Sequence, residues 1–246
     1  MGKIYREATV FEAAQRRVEF VFKHFERVVI SFSGGKYSSV MFHLVADEAR
    51  RVGKRFGVLI VDLEAQYKLT IDHIEEMLAE YSDVAEPFWV CLPLSLRNAA
   101  SNFDPRWCCW DEDRRDIWVR EYPETCIKDL GYFPWFRKGM EFEEFVPLFA
   151  EWYGQGKLTA TFVGIRADES LNRYRTVASH AWLKNKEMFH DLPWTTLIVA
   201  KCYNIYPIYD WKTQDIWVYH RKNPRKNHNK IYDLMHQAGV KPSTQR

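Results

Sequence analysis

The residues at positions 31–39 read Ser31-Phe32-Ser33-Gly34-Gly35-Lys36-Tyr37-Ser38-Ser39, and they decide the fold. An apolar run at 28–30 leads into them and a helical pattern at 40–45 leads out, which predicts a strand, a glycine turn and a helix start. The two glycines allow a close backbone approach and positive φ, and Ser38 and Ser39 are predicted to cap the helix. The first amides of that helix, with Lys36 beside them, would form a cradle for phosphate groups.

This cradle differs from a Walker A loop, in which four residues separate the first glycine from Gly-Lys-Ser/Thr. A second interpretation stays open, namely a glycine turn that joins a strand to a helix and binds no ligand. If the cradle forms, the nucleotide contacts are predicted to come from Ser31, Ser33, Gly34, Gly35, Lys36, Tyr37, Ser38 and Ser39.

Length and composition predict one large α/β domain, or one domain with a small appendage. The chain has 246 residues, of which 47% are hydrophobic, and a net charge of +2. A single domain over 1–246 is expected. A net charge this small is not expected to attract nucleic acid or membranes strongly through long-range electrostatics. The sequence begins without the apolar segment of a secretory signal and has no apolar run long enough to cross a bilayer. Five cysteines without a regular framework predict reduced thiols and a cytoplasmic location.

Helical and strand patterns alternate along the chain. Helices are predicted at 10–26, 38–51, 70–80 and 140–153, and strands at 27–32, 56–61, 87–93 and 158–163. This alternation predicts an α/β domain. Residues 97–139 have no regular pattern, so we predict an irregular insertion that lies over the site or forms a partner surface.

Two acidic residues, Asp62 and Glu64, follow the second predicted strand. The carboxyl ends of parallel strands form the ligand side of an open α/β sheet. One of these carboxylates could therefore accept a hydrogen bond from a ribose hydroxyl or hold a metal ion. The alternative is that both are ordinary loop acids.

A second motif follows the fourth predicted strand, with the sequence Gly164-Ile165-Arg166-Ala167-Asp168-Glu169-Ser170-Leu171-Asn172-Arg173. Gly164 allows a close turn, and Arg166 and Arg173 can bind phosphate or sulfate oxygens in bidentate geometry. Glu169 could orient an arginine or hold a metal-bound water. An arginine-rich helix start can also be a solvated salt-bridge face. Lys184 and Lys186 are predicted to continue a basic helix.

The C-terminal third contains a third motif at 205–217, which we interpret mainly as structural. Thr213 is predicted to cap a short helix whose Ile216 and Trp217 face inward. The basic loop at 221–228 is by default a solvated face, with contacts to phosphate or nucleic acid as the alternative. A last helix is predicted from Asn229.

Cys108 and Cys109 are adjacent in sequence, with Cys126 and Cys202 further along. No Cys-x-x-Cys pair and no paired zinc-ligand spacing accompanies them. We therefore expect neither an iron–sulfur cluster nor a zinc site, name no metal ligand among them, and interpret the region as aromatic-rich packing.

The three motifs resemble those of the adenine nucleotide alpha-hydrolase families, which include the PP-loop ATP pyrophosphatases, the small subunit of ATP sulfurylase and phosphoadenosine phosphosulfate (PAPS) reductase. The loop resembles their Ser-Gly-Gly-Lys-Asp-Ser sequence, and the second motif resembles Gly-x-Arg-x-x-Glu-Ser-x-x-Arg. Residues 205–217 resemble a Pro-Ile/Leu-x-Asp-Trp-x-x-x-Asp-Ile/Val-Trp segment. The sequences at 62–67 and 164–173 are most similar to those of the PAPS-reductase-like branch typified by the prophage co-activator immunoglobulin-binding regulator A.

The resemblance implies a Rossmann-like parallel sheet with helices on both faces, whose site lies at the carboxyl edge of the sheet. It implies a bound ATP or related adenine nucleotide with Mg²⁺, and in that branch a ParB/sulfiredoxin-like protein partner. By the same resemblance, Lys36, Arg166 and Arg173 would be catalytic. The further nucleotide contacts would come from Asp62, Glu64, Gly164 and Glu169.

The sequence departs from the family pattern at three points. It lacks the C-terminal Glu-Cys-Gly-x-His cysteine of PAPS reductase, so thiol-based sulfite release is not expected. Members of the branch are longer than this chain. Tyr37 stands where the loop usually has Asp, so a neutral phenol replaces a carboxylate that can help to hold a metal–phosphate group.

Three hypotheses follow. The first is an ATP pyrophosphatase-type enzyme that adenylates an acceptor, and the second is a sulfonucleotide-binding protein. The third is a regulatory module that uses a nucleotide as a switch and acts with a protein partner or DNA. Only the basic stretch at 221–230 and the tryptophan-rich insertion support the third.

Overall fold

The computed structural model describes residues 7–98, 103, 105–179, 189, 192–242, 244 and 245. Its strands are β1 Arg27–Ser31, β2 Phe56–Val61, β3 Ala85–Val90, β4 Ser95–Arg97, β5 Arg106–Cys108, β6 Thr159–Val163, β7 Thr195–Val199 and β8 Cys202–Ile205. Its helices are α1 Val10–His24, α2 Lys36–Val52, α3 Lys68–Glu80, α4 Phe142–Gly154, α5 Leu171–Ser179, α6 Thr213–Lys222 and α7 Ile231–Gln237.

Six strands form one sheet in the order β3-β2-β1-β6-β8-β7. Every neighbouring pair is parallel except β7 with β8, which is antiparallel. The predicted α/β class is therefore confirmed, a Rossmann-type sheet flanked by helices. The β7–β8 pair was not predicted, and it gives the sheet an antiparallel edge.

The sheet order creates a crevice between two central strands. The chain passes from β1 outward to β3 and later returns to β6 on the other side of β1. Ser31 at the end of β1 pairs with Val163 at the end of β6. The segments that follow these strands leave in opposite directions, and such a switch point is where open α/β sheets bind ligands.

Helix boundaries follow local signals in most places. Thr9 caps α1, since its hydroxyl accepts from the amide of Glu12 at 3.2 Å while the Glu12 carboxylate accepts from the Thr9 amide at 2.8 Å. Gly53 ends α2 with φ of 66°. The four predicted helices lie within two residues of α1, α2, α3 and α4 at each end.

Two predicted helix caps are wrong. The N-cap of α2 is Gly35, and Ser38 and Ser39 lie inside the first turn, where both hydroxyls donate to the Gly35 carbonyl at 3.0 and 2.9 Å. Gly35 is already extended, so the helix starts before the serines. The N-cap of α6 is Lys212, whose amide donates to Asp215 at 2.7 Å, and Thr213 is the first helical residue.

The predicted insertion has more structure than its sequence pattern indicated. It contains β5, which pairs antiparallel with β4 at its start, and a 3₁₀ helix at Glu112–Ile117. The predicted basic continuation at Lys184 and Lys186 lies outside the described residues. In the part of the chain that the structure describes, none of the helices combines the length and apolar character needed to cross a membrane.

Candidate functional site

The segment between β1 and α2 makes a tight turn that depends on glycine. Gly34 has φ of 67°, and a Cβ at this position would lie 2.9 Å from side-chain atoms of Thr70 and Ile74 in α3. Gly35 then begins α2 without a side-chain cap. The amide end of α2, with its partial positive charge, therefore lies at the end of β1, in the crevice.

Lys36 is the first residue of α2, and it is only 1% exposed. Its ammonium donates to the carbonyl oxygens of Pro242 and Gln245, both at 2.9 Å, and lies 5.2 and 4.8 Å from the ring centroids of Tyr37 and Tyr232. Burial and the nearby Arg166 guanidinium lower the pKa of Lys36 to about 8, while Glu169 acts in the opposite direction.

The described residues within 229–245, which we name the covering segment, lie over this loop. Asn229 donates to the Gly34 carbonyl at 2.9 Å and to the Thr70 hydroxyl at 3.0 Å. The Tyr232 hydroxyl accepts from the Lys36 amide at 3.2 Å. Gln245 is 2% exposed and donates to the Val240 carbonyl at 3.0 Å. Neutral oxygens of this segment thus accept hydrogen bonds from both the backbone amide and the side-chain ammonium of Lys36.

Arg166 follows β6 and reaches the same loop. It is 2% exposed, and its guanidinium donates to the hydroxyl of Tyr37 at 2.8 Å and to the Trp211 carbonyl at 3.1 Å. Its Cζ lies 4.1 Å from the Tyr37 ring centroid. The Nε atom is buried without a hydrogen-bond partner among the described residues. The structure therefore brings two predicted site cations, Lys36 and Arg166, to one place.

Gly164 lets the second motif approach the first. A Cβ on Gly164 would lie 3.3 Å from both Cα and N of Ser38 in the first turn of α2. Both contacts are with backbone, which has little freedom to move away. This position therefore favours glycine, as predicted for a close turn.

The remaining predicted residues of the second motif are more exposed. Glu169 is half-buried and its carboxylate accepts from the Arg166 amide at 3.3 Å. Asp168 lies 3.9 Å from the Arg166 guanidinium. Arg173 is exposed in α5, with its amide donating to the Ser170 hydroxyl at 3.2 Å. Its predicted catalytic role stays a prediction.

The loop serines are placed differently from one another. Ser31 ends β1, and Ser33 is exposed, with its hydroxyl 3.1 Å from that of Ser38. Ser39 is fully buried, and its hydroxyl lies 2.7 Å from Nε2 of His73. Because Ser39 donates to Gly35, His73 is the donor in this contact.

Asp62 and Glu64 lie at the carboxyl end of β2, where they hold the insertion. Asp62 accepts from the Glu64 amide at 2.9 Å, from the Trp89 indole at 2.9 Å and from the Arg120 guanidinium. Glu64, with φ of 65°, accepts from the amides of Trp110 and Val119 at 3.0 and 3.1 Å. All four carboxylate oxygens therefore already have donors.

These contacts decide how well the site fits Mg²⁺, which prefers carboxylate and phosphate oxygens. The loop offers a phenol at Tyr37, and Asp62 and Glu64 are occupied by protein donors. The cations Lys36 and Arg166 lie closest to the loop, with Glu169 as their half-buried neighbour. This donor set fits an anion well and a divalent cation poorly.

Cys91 and Cys126 lie close enough to each other for a side-chain hydrogen bond. Cys91, Cys109 and Cys202 are buried, whereas Cys108 and Cys126 are half-buried, and burial raises the pKa of each thiol. Among the residues with described positions, no group of three or more His, Cys, Asp or Glu side chains could hold a metal ion. The prediction about an iron–sulfur cluster stays a prediction.

Three histidines are buried behind the loop. His43, His73 and His220 are at most 8% exposed. Both ring nitrogens of His43 and of His220 are without hydrogen-bond partners among the described residues. Burial lowers the pKa of His73 and of His220 to about 4, and it lowers that of His43 well below the ordinary value.

Known proteins resemble this chain in sequence and in fold. The family described as "Phosphoadenosine phosphosulfate reductase domain" matches residues 146–237, which contain the second and third motifs. Among solved structures, PAPS reductase from Candida auris in its phosphate complex aligns with a TM-score of 0.50 over 95% of this chain and 94% of that chain, at 12% identity. The chain has the fold of a PAPS reductase.

Two further similarities concern other proteins. The uncharacterized protein YbdN of Escherichia coli (strain K12) is 44% identical over 241 residues, which are 97% of this chain. The chain spans 58% of the length of that curated relative. An FMN adenylyltransferase from Candida glabrata, in complex with FAD and inorganic pyrophosphate, aligns with a TM-score of 0.45 at 14% identity, over 87% of this chain and 59% of that chain. The prophage co-activator branch stays a prediction.

The sequence did not indicate every residue of the candidate site. Gly34, Gly35, Lys36, Gly164 and Arg166 were predicted to lie together, and they do. Asn229, Tyr232 and Gln245 were not assigned to the site. For the first two a signal existed, because both lie in the last helix that the sequence predicts. For Gln245 no local pattern indicates the contact.

Proposed function

We propose that the chain binds an adenine nucleotide at this edge of the sheet, with its phosphate or sulfate groups against the loop at 33–36. The observation that carries the proposal is the convergence of Lys36, Arg166 and the amino end of α2 at the switch point between β1 and β6. Two buried cations and a helix N-terminus strongly favour an anion.

The first candidate reaction is adenylation of an acceptor by ATP. The acceptor oxygen would attack the α-phosphorus, the bond from that phosphorus to the bridging oxygen would break, and pyrophosphate would leave with the electron pair. Lys36, the α2 amides and Arg166 would stabilise the charge that develops on the leaving group. Arg173 would join them if the anionic end reaches α5.

The second candidate is binding of a 3′-phosphorylated sulfonucleotide such as PAPS. Two observations support it, the domain match over residues 146–237 and the phenol at position 37 in place of a carboxylate. Adenosine would lie toward β2, near Asp62 and Glu64. Because their carboxylates hold the insertion, they would shape the nucleoside pocket rather than bind ribose directly.

Calorimetric titration with ATP and, separately, with PAPS tests the proposal. Binding of either nucleotide by the native chain, lost in Lys36→Met and retained in the exposed-lysine control Lys157→Met, supports it. Tighter binding of ATP together with pyrophosphate release selects the first candidate, and tighter binding of PAPS selects the second. Absence of binding by both nucleotides would overturn the proposal.

A nucleotide-switch role with DNA or a ParB/sulfiredoxin-like partner remains a prediction of the sequence. Parts of its basic stretch are engaged within the fold, since Lys226 forms an ion pair with Asp47 and His228 lies 3.0 Å from the Asp233 carboxylate. A salt-dependent mobility shift with DNA would be the observation in its favour.

A further inference from the structure

Tyr37 is joined to Arg166 by two contacts that a carboxylate would make differently. Its hydroxyl accepts from Nη2 at 2.8 Å, and its ring lies 4.1 Å from Cζ. Both contacts fix the orientation of the guanidinium, and neither removes its charge. A carboxylate at the same position would form an ion pair and cancel that charge.

The two buried cations beside the loop therefore both carry a positive charge before any ligand arrives. Lys36 and Arg166 are both at most 2% exposed, so water screens them little. The carboxylates that face them are Glu169, which is half-buried and accepts from the Arg166 amide, and Asp168, which is exposed and 3.9 Å from the guanidinium. Asp62 and Glu64 are engaged with the insertion.

One donor of Arg166 is also unused. Its Nε is buried and has no partner among the described residues. A buried N–H without an acceptor is unfavourable, and an oxygen of a bound anion would satisfy it. The water molecules on a hydrated magnesium ion would instead direct their O–H donors at the Arg166 Nε–H, which is itself a donor.

We propose that Tyr37 makes this site selective for the metal-free anion of the nucleotide over its magnesium complex. The inference rests on the proposed function and names the ionic form of the ligand. In this site Lys36 and Arg166, and not a metal ion, neutralise the negative charge of the nucleotide. Tyr37 acts on the ligand through Arg166 and is thus a positioning residue.

The test is calorimetry with ATP and with PAPS, each in excess EDTA and in excess Mg²⁺. The native chain is expected to bind its preferred nucleotide at least as tightly in EDTA as in Mg²⁺. ATP is the sharper probe, because chelation of Mg²⁺ lowers the negative charge that the two cations attract.

Three variants assign the effect to Tyr37. In Tyr37→Asp the new carboxylate neutralises Arg166 and supplies an oxygen ligand, so binding in EDTA weakens by about tenfold or more and recovers with Mg²⁺. Tyr37→Phe keeps the ring, loses the hydroxyl, and stays independent of Mg²⁺. Tyr132→Asp places the same change on a tyrosine that is 44% exposed in the insertion, and it should behave as the native chain.

The outcomes separate the inference from the proposed function. Native binding that is about tenfold tighter in Mg²⁺ than in EDTA overturns the inference and leaves nucleotide binding intact. Metal-free binding that persists unchanged in Tyr37→Asp overturns the assignment to Tyr37. If the native chain binds neither nucleotide in either condition, the proposed function fails and the inference fails with it. Thermal unfolding of each variant identifies one that has merely lost its fold.

Discussion

Lys36 is the residue whose ionisation should control binding near neutral pH. Its pKa is lowered to about 8 because the ammonium is buried beside Arg166. An anion in the site would favour the ammonium form and raise this pKa again. We therefore expect nucleotide affinity to fall as pH rises from 7 to 9, and a proton to be taken up on binding near pH 8.

Calorimetry in two buffers of different ionisation enthalpy measures that proton uptake. Lys36→Arg keeps a cation throughout this range, so its affinity should lose the pH dependence. A native chain whose affinity is flat between pH 7 and 9 would contradict the lowered pKa.

Gly164 is a residue at which a single methyl group should matter. In Gly164→Ala the new Cβ would meet Ser38 Cα and N at 3.3 Å, so the loop after β6 must shift away from α2. Because that loop carries Arg166, nucleotide affinity should fall by roughly tenfold, with a smaller loss of stability. Gly131→Ala, whose Cβ would meet only the Asp129 carboxylate at 3.5 Å or beyond, is the matched control. Equal affinity in the two variants would show that the close approach is unimportant.

At the scale of elements, the covering segment should compete with the nucleotide. The carbonyls of Pro242 and Gln245 accept from the ammonium that a phosphate group would need. The Gln245 side chain holds the local turn through the Val240 carbonyl. In Gln245→Ala the turn loosens, and we expect tighter and faster nucleotide binding, by about threefold to tenfold, in stopped-flow and calorimetric measurements.

Val240→Ala is the control for this comparison, because the contacts of Val240 with Gln245 are made by its backbone. Its nucleotide affinity should equal that of the native chain. Weaker binding in Gln245→Ala would mean that the segment supports the nucleotide site instead of competing for it.

The sequence predicted elements with strong local signals and missed those set by distant partners. Thr9 and Gly53 have signals in their own neighbourhood, since Thr9 caps the start of α1 and Gly53 ends α2. Ser38 and Ser39 were placed as caps because the sequence does not reveal that Gly35 already adopts the N-cap conformation. The last two strands of the sheet are short, and β8 pairs with the distant β6 while the edge strand β7 pairs with β8.

The candidate site shows the same division. The glycines, Lys36 and Arg166 were predictable, since residue type and position after a strand carry the chemistry. The engagement of Asp62 with Arg120 and of Glu64 with Val119 joins residues more than fifty positions apart. Such partners lie in an insertion without periodicity, so no local pattern could indicate them.

For the whole molecule, the buried histidines predict loss of stability in acid. His73 and His220 have pKa values of about 4 in the folded chain, against an ordinary value near 6.5 when unfolded. Between these values the unfolded state binds more protons, so stability is full above about pH 6.5 and decreases as pH falls. At pH 5 the loss is about 2 kcal/mol for each histidine, to order of magnitude.

Urea unfolding at pH 7 and pH 5 measures this loss. His220→Gln should reduce the difference between the two pH values, because the group that resists protonation is gone. His236→Gln, at an exposed position in α7, should leave the difference unchanged. A native chain equally stable at both pH values would contradict the prediction.

The order of the strands has a consequence for the nascent chain on the ribosome. The central strand β1 pairs on one side with β2, which is made soon afterwards, but on its other side with β6, so that Arg27 meets Thr159. While β2 and β3 can join β1 early, its second edge stays open until β6 leaves the exit tunnel. An unpaired edge of an apolar strand can form backbone hydrogen bonds with strands of other chains. Slower translation between β3 and β6 would lengthen that exposure, and aggregation during synthesis should increase with it.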